Sequence, residues 1–124
     1  MSTMDTFVER ANDAAQCAAR AAKYVALISR KRLEILSEQE KIRRNYARLG
    51  KVYYKDYVTD EEPDEAEYQP LCEAISGSFR YINELKQDIE AARAAYRGQT
   101  GQEPPEEEPQ DVILPLEAAP EEAE

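Results

Sequence analysis

The feature that most constrains this chain is a stretch from Asp5 to Tyr57 with no proline and a single glycine. Within it, apolar side chains recur at alternating steps of three and four residues, interrupted at Arg32 and Gln39. This spacing places them along one side of an α-helix, as in a coiled coil. It predicts one long helix over residues 1–57, on the order of 80 Å at 1.5 Å per residue.

The two halves of this helix differ in their apolar residues. Up to about residue 26 the apolar positions are mostly alanine, and beyond it they are isoleucine, leucine and tyrosine. Alanine has the highest helix propensity, but an alanine layer buries little surface. The alanine-rich half is therefore predicted to be helical and to gain little from packing. Whether residues 5–26 continue the helix or fold back is left open at this stage.

An acidic turn and a second helix are predicted next. Residues 58–69 contain six acidic side chains, no basic one, and Pro63. Pro70 suits the first turn of a helix, where its missing N–H is not needed. A second apolar series then runs to Tyr96, and Gly98, Gly101 and two prolines follow it. These signals predict a second helix over residues 70–97.

The remaining residues 98–124 are predicted to be a disordered acidic tail. They hold nine acidic side chains and no basic one, a composition that does not support a packed core. One apolar segment, residues 112–116, interrupts the tail. It is interpreted either as a short binding motif or as a chance cluster.

The two apolar series fit together as an all-α fold, an antiparallel two-helix coiled-coil hairpin. One register pairs Ile42 with Ile82 and Ile28 with Tyr96, and a slip of one heptad is the alternative. In either case residues 5–26 lack an intramolecular partner, which predicts self-association or docking onto a partner helix. The predicted hairpin core consists of Ile28, Ile35, Ile42, Tyr46, Leu49, Tyr53, Leu71, Ile75, Ile82, Leu85, Ile89 and Tyr96.

The sequence lacks the side chains that most catalytic and metal sites use. It has no histidine, and its cysteines, Cys17 and Cys72, are isolated from each other. It has no Cys-x-x-Cys pair and no glycine-rich phosphate loop. We therefore expect no enzyme activity, no catalytic residue, no bound metal or other cofactor, and no small-molecule substrate.

A basic ridge is predicted on the first helix, facing away from the apolar series. It consists of Lys41, Arg44, Arg48, Lys51 and Lys55, spaced three and four residues apart. One interpretation is a solvated surface; the other is a ridge that binds an anionic partner. Nucleic acid is the partner we least expect, because the acidic tail would compete with it and repel it.

The location of the chain is predicted from what its sequence does not contain. No window approaches the roughly 18 uninterrupted apolar residues of a membrane span. Asp5 and Glu9 stand where a signal peptide would need a basic start. We therefore expect the protein in the cytoplasm.

Three segments carry a resemblance to a known group of proteins: residues 46–57 (YARLGKVYYKDY), 71–75 (LCEAI) and 82–89 (INELKQDI). With the acidic turn between them, they resemble small bacterial helical-hairpin proteins of unknown function. Those proteins often carry a C-terminal zinc ribbon. The resemblance covers about residues 25–97 and implies the hairpin fold but no activity. Residues 98–124 contain no cysteine or histidine, so the resemblance does not extend to the ribbon or its zinc.

The function expected from these observations is that of a non-catalytic scaffold or adaptor acting through helix–helix interaction with protein partners. The alternative is binding to a membrane surface through the basic amphipathic part of the first helix. Residues 14–33 contain no acidic side chain and several basic ones: Arg20, Lys23, Arg30, Lys31 and Arg32. Basic amphipathic helices of this kind bind anionic lipid.

Overall fold

The protein is described by a computed structural model that covers residues 3–105. It forms two helices, α1 (Thr3–Thr59) and α2 (Glu65–Thr100), which pack against each other as a hairpin. The predicted all-α hairpin is confirmed. The predicted tail from residue 106 onward, with its apolar segment 112–116, lies outside the described residues.

The alanine-rich half continues α1 without a break. Residues 3–20 are all exposed, because they extend past the end of α2. The rings of Tyr24 and Tyr96 pack with their centroids 5.0 Å apart, close to where the overlap of the two helices ends. Of the two arrangements left open by the sequence, the straight continuation is the one observed.

A Schellman motif ends α1. The Glu61 N–H donates to the Asp56 carbonyl (3.0 Å), and the Asp60 N–H donates to the Tyr57 carbonyl (3.4 Å). This pattern requires a left-handed residue between the helix and the chain that leaves it, and Asp60 has φ 55°. Aspartate adopts this conformation more readily than most residues, although glycine suits it better.

Helix α2 begins earlier than the sequence predicted, so the acidic turn is shorter than residues 58–69. Asp64 is the N-cap, and its carboxylate accepts a hydrogen bond from the Ala66 N–H at 3.0 Å. Glu65 and Glu67 follow in the first turn, where the helix dipole favours negative charge. Pro70 therefore lies inside α2, where it cannot donate a hydrogen bond to the Ala66 carbonyl.

The other end of α2 extends through Gly98 to Thr100. Gly101 follows with φ 67°, a conformation that glycine adopts without strain, and its N–H donates to the Arg97 carbonyl at 2.8 Å. The predicted end of the helix at residue 97 is therefore short by one turn. The glycine that ends the helix is the second of the two that the sequence offered.

The core lies along the contact between the helices. Ile28, Ile42 and Leu85 are almost completely buried, and such a side chain contributes about 1.5–3 kcal/mol by leaving water. Of the remaining predicted core residues, Ile35, Ile75, Ile82 and Ile89 are buried, while Leu49, Leu71 and Tyr96 are half-buried. Tyr46 and Tyr53 differ, because they are 44% and 64% exposed.

The two exposed tyrosines reveal which residues of α1 face α2. We call these residues the hairpin seam: positions 24, 28, 31, 35, 38, 42, 45, 49, 52 and 56, all buried or half-buried. The predicted series shared positions 28, 35, 42 and 49 but used 46 and 53 in place of 45 and 52. A step of three residues from Ile42 leads to Asn45 and a step of four leads to Tyr46, and both lie near the same side of the helix. Hydrophobicity alone favoured Tyr46.

The seam also sets the alignment of the two helices. Tyr24 packs against Tyr96 at one end of the overlap, and Asp56 pairs with Tyr68 at the other end, next to the turn. Two charged side chains within the seam have partners: Lys31 Nζ lies 3.4 Å from Asp88 Oδ2, and Glu38 Oε2 lies 2.8 Å from Lys41 Nζ. Because these polar groups have partners, they can be buried at seam positions that a search for hydrophobic residues alone would not select.

Candidate interaction surface

The most exposed part of α1 is its N-terminal overhang, which we define as residues 3–20. It carries Met4, Phe7 and Val8, all more than half exposed, and a run of alanines. Phe7 and Ala14 are separated by two helical turns and therefore lie on the same side of the helix, whereas Gln16 lies on the other side. The overhang is thus amphipathic, with no part of the described chain covering its apolar side.

A second surface runs beside the hairpin seam; it is apolar toward both ends of α1 and is interrupted in the middle by Ser29, Arg32, Gln39 and Arg43. We define this open stripe as the positions reached from Met4 in alternating steps of four and three residues, ending at Tyr57. From residue 25 onward, each of its positions follows a seam position by one residue. It therefore lies about 100° around the helix axis from the seam, because a helix has 3.6 residues per turn.

The open stripe gathers most of the exposed apolar bulk of α1. Six of the eleven exposed large hydrophobic side chains of this helix occupy it: Met4, Val8, Val25, Tyr46, Tyr53 and Tyr57. Leu33 and Tyr54 adjoin it, and the rings of Tyr54 and Tyr57 stack at 6.4 Å. Scattered exposed apolar residues are ordinary, but exposed apolar residues grouped on one side of a helix are typical of an interaction site.

The predicted basic ridge lies on the exposed side of α1, and all five of its side chains are exposed. Lys41 differs from a side chain that is only solvated, because its ammonium pairs with Glu38, which is only 7% exposed. Lys41 thus compensates a carboxylate that lies within the seam. Arg44, Arg48, Lys51 and Lys55 form the rest of the ridge.

A buried carboxylate joins the two helices next to the turn. Asp56 is 5% exposed, and its Oδ2 accepts a hydrogen bond from the Tyr68 hydroxyl at 2.7 Å. Desolvation of the phenol, followed by this hydrogen bond, raises the pKa of Tyr68 to about 12 from an ordinary value of 10.0. A proton held this tightly at neutral pH favours a structural role for the pair over acid–base chemistry.

A second tyrosine–carboxylate contact crosses the hairpin further along. The Tyr81 hydroxyl donates to Glu34 Oε2 at 3.1 Å, and this hydrogen bond is the main cause that raises the pKa of Tyr81. Both residues are at least partly accessible to water. This pair, like the one at the turn, links α1 to α2.

Within residues 3–105, no group of three or more histidine, cysteine, aspartate or glutamate side chains is placed to hold a metal ion. Cys17 and Cys72 are free and exposed, Cys17 on the overhang and Cys72 on α2. Neither helix has a segment long and apolar enough to cross a membrane, as far as the described chain goes.

Several residues that shape this surface were not identified from the sequence. Tyr24, Glu38 and Asp56 lie in the seam, and the open stripe was partly merged with the seam in a single apolar series. A signal for two surfaces was present: apolar residues occur at adjacent positions, as in the pairs Tyr24–Val25 and Val52–Tyr53. A helix with one apolar side does not need such doubling.

No protein-family model, curated protein or solved structure matches this chain. The resemblance of residues 25–97 to helical-hairpin proteins that often carry a zinc ribbon therefore stays a prediction.

Proposed function

We propose that this protein is a non-catalytic coiled-coil scaffold or adaptor that acts by docking α-helices of protein partners onto α1. The observation that carries the proposal is the overhang, a continuous helical segment whose apolar side is exposed from Thr3 to Arg20. Most helical stability in proteins comes from packing an amphipathic face, and the overhang has no such packing within residues 3–105, so packing against another helix would stabilise it.

The hairpin supplies what such a scaffold needs. α2 covers the seam of α1, while the overhang and both ends of the open stripe stay exposed to other chains. Docking a helix there would bury Phe7 and Val8, whose removal from water contributes about 25 cal/mol per Å² of apolar surface. The recognition mode is the helix-to-helix packing by which amphipathic helices bind in apolar grooves.

Photo-crosslinking in cells tests this proposal. A photoreactive side chain placed at Ala14, on the apolar side of the overhang, is expected to crosslink to another polypeptide. The matched control places the same group at Gln16, which lies on the opposite side of the same helix. Crosslinks of equal yield from both positions, or none to a polypeptide from Ala14, would contradict the proposal.

Membrane-surface binding is the second candidate. Exposed Arg20, Lys23 and Arg30 lie near exposed Val25 and Leu27, a combination that suits anionic lipid. Part of this segment is already engaged, because the neighbouring Tyr24 and Ile28 are buried against α2.

Co-sedimentation with vesicles decides between the two candidates. The lipid candidate expects binding to anionic vesicles, little to zwitterionic ones, and a loss of binding in Lys23→Glu. The scaffold proposal expects no enrichment on either kind of vesicle.

A further inference from the structure

The open stripe changes in size and charge from one end of α1 to the other. Its N-terminal half is small, with alanine at positions 11, 15, 18 and 22, and its C-terminal half contains Tyr46, Tyr53 and Tyr57. Charge follows a similar gradient. Residues 3–13 contain three acidic side chains and one basic, whereas residues 41–55 contain six basic side chains and no acidic one.

These gradients make the stripe complementary to itself when it is reversed. We propose that the open stripe binds the same stripe of a second copy of this chain in antiparallel orientation, with Met4 beside Tyr57 of the second copy. The proposal rests on the proposed function, because it names the chain that docks on α1. The partner helix and α2 would occupy different sides of α1.

Side-chain size supports the antiparallel pairing. In this alignment Ala15 lies opposite Tyr46, Ala18 opposite Arg43, and Val25 opposite Leu36 of the second copy. At three layers of this alignment an alanine faces a large residue (Ala15–Tyr46, Ala18–Arg43 and Ala22–Gln39), which lets the helices approach closely there. A parallel pair would instead put tyrosine on tyrosine at one end and alanine on alanine at the other.

Charge supports the same orientation. An antiparallel pair brings the acidic start of each α1 (Asp5, Glu9, Asp13) next to the basic segment 41–55 of the other copy. A parallel pair would set the two basic segments side by side, within the distance of roughly 8–10 Å over which charges interact at physiological salt. Antiparallel helices also place each N-terminus beside a C-terminus, an arrangement that the helix dipoles favour.

The hairpin leaves room for this partner. The open stripe lies one residue, or about 100°, around α1 from the seam that α2 covers, so a second helix can pack there without displacing α2. The exposed Tyr46 and Tyr53 of the hairpin would then become buried. Their exposure in the single chain is what a missing partner would produce.

Disulfide trapping of two single-cysteine variants tests the orientation. In a Cys17→Ser, Cys72→Ser background, Ala22→Cys and Gln39→Cys are prepared separately; the pairing puts residue 22 opposite residue 39. Mixed together, the two variants are expected to form a crosslinked dimer on mild oxidation. Either variant alone is expected to form little, because its own cysteines would lie roughly 25 Å apart across the dimer at 1.5 Å per residue. Efficient crosslinking of each variant with itself would overturn the antiparallel arrangement.

Sedimentation equilibrium over a concentration series tests the surface. Tyr53→Glu, on the stripe, is expected to raise the dimer dissociation constant about tenfold or more. Val58→Glu is the matched control, because Val58 is similarly exposed (62%, against 64% for Tyr53) but lies off the stripe. Circular dichroism of both variants checks that the hairpin is intact.

The outcomes separate this inference from the proposed function. A chain that stays monomeric at every concentration, or equal weakening by both variants, would overturn the second copy as the partner. If the group at Ala14 nonetheless crosslinks to a different protein, the scaffold proposal stands and the antiparallel homodimer does not. Absence of any crosslink from Ala14 would contradict the scaffold proposal alone, because Ala14 lies beside the stripe rather than on it.

Discussion

Truncating Ile42 tests which residues of α1 face α2. Ile42 is 0% exposed, and Ile42→Ala removes three carbon atoms. At about 0.8 kcal/mol for each buried carbon, the lost transfer free energy is about 2.4 kcal/mol. A residual cavity adds to this, although two helices without a third layer can partly close around it. We therefore expect a loss of about 3 kcal/mol in the free energy of unfolding, within the usual range for this substitution.

Urea unfolding followed by circular dichroism measures this loss. With a slope of about 1.5 kcal/mol per M, the unfolding midpoint should fall by roughly 2 M, and Ile42→Val should fall by about a third as much. The milder variant keeps the comparison measurable if the alanine variant is partly unfolded without urea. The protein is kept dilute so that self-association does not contribute.

Tyr53→Ala is the control, and it distinguishes the observed seam from the predicted one. Tyr53 is exposed in the hairpin, so its truncation should change the free energy of unfolding by no more than about 0.5 kcal/mol. If Tyr53→Ala destabilised the dilute protein as much as Ile42→Ala, position 53 would have to face α2. The assignment of the open stripe would then be refuted.

Three further predictions concern the turn and the polar contacts of the hairpin. Asp60→Gly should stabilise the protein to urea by about 0.5–1 kcal/mol, because glycine adopts the left-handed conformation at this position without strain. The pKa of Tyr68 is higher in the folded protein than in the unfolded chain, so the unfolded chain loses this proton first as pH rises. The melting temperature should therefore fall between pH 10 and about pH 12, and it should fall less in Tyr68→Phe. Lys41→Glu should cost about 1 kcal/mol in urea unfolding by leaving Glu38 unpaired, whereas Lys55→Glu should change stability by less than about 0.5 kcal/mol.

The helices themselves were predictable because their strongest signals are local. The absence of proline from Asp5 to Tyr57 and the apolar series from Leu71 to Tyr96 each specify a helix without reference to the rest of the chain. The core residues Ile28, Ile35 and Ile42 were also predicted correctly, since isoleucines seven residues apart lie on the same side of a helix.

The alternate positions of the seam were not predictable from hydrophobicity. A buried Glu38 or Asp56 is acceptable only because Lys41 and Tyr68 satisfy it. Lys41 is a neighbour on the same helix, whereas Tyr68 is found as a partner only once the two helices are aligned. The helix boundaries depended on similar local detail. Asp64 caps α2 before Pro70, and Asp60 ends α1 in a conformation that usually requires glycine.

The interaction surface of α1 lies beside a second apolar side of the same helix, and the sequence alone does not separate the two. In the sequence, Tyr46 and Tyr53 belong to the same apolar series as Ile42 and Leu49. In the structure, α2 covers one set and leaves the other exposed. A single helix with two adjacent apolar sides is ambiguous until the position of its first partner is known.

α1 is one continuous helix whose first turns extend beyond α2, and the two native cysteines allow a direct test of this. Spin labels on the exposed Cys17 and Cys72, with the protein diluted into an excess of unlabelled chain, report the distance within one molecule by pulsed electron resonance. With Tyr24 beside Tyr96, Cys72 lies next to about residue 48 of α1, so the account predicts a separation of about 45 Å along the helix at 1.5 Å per residue. A distance of less than half that value would show that the alanine-rich segment folds back onto the hairpin, and would contradict the account.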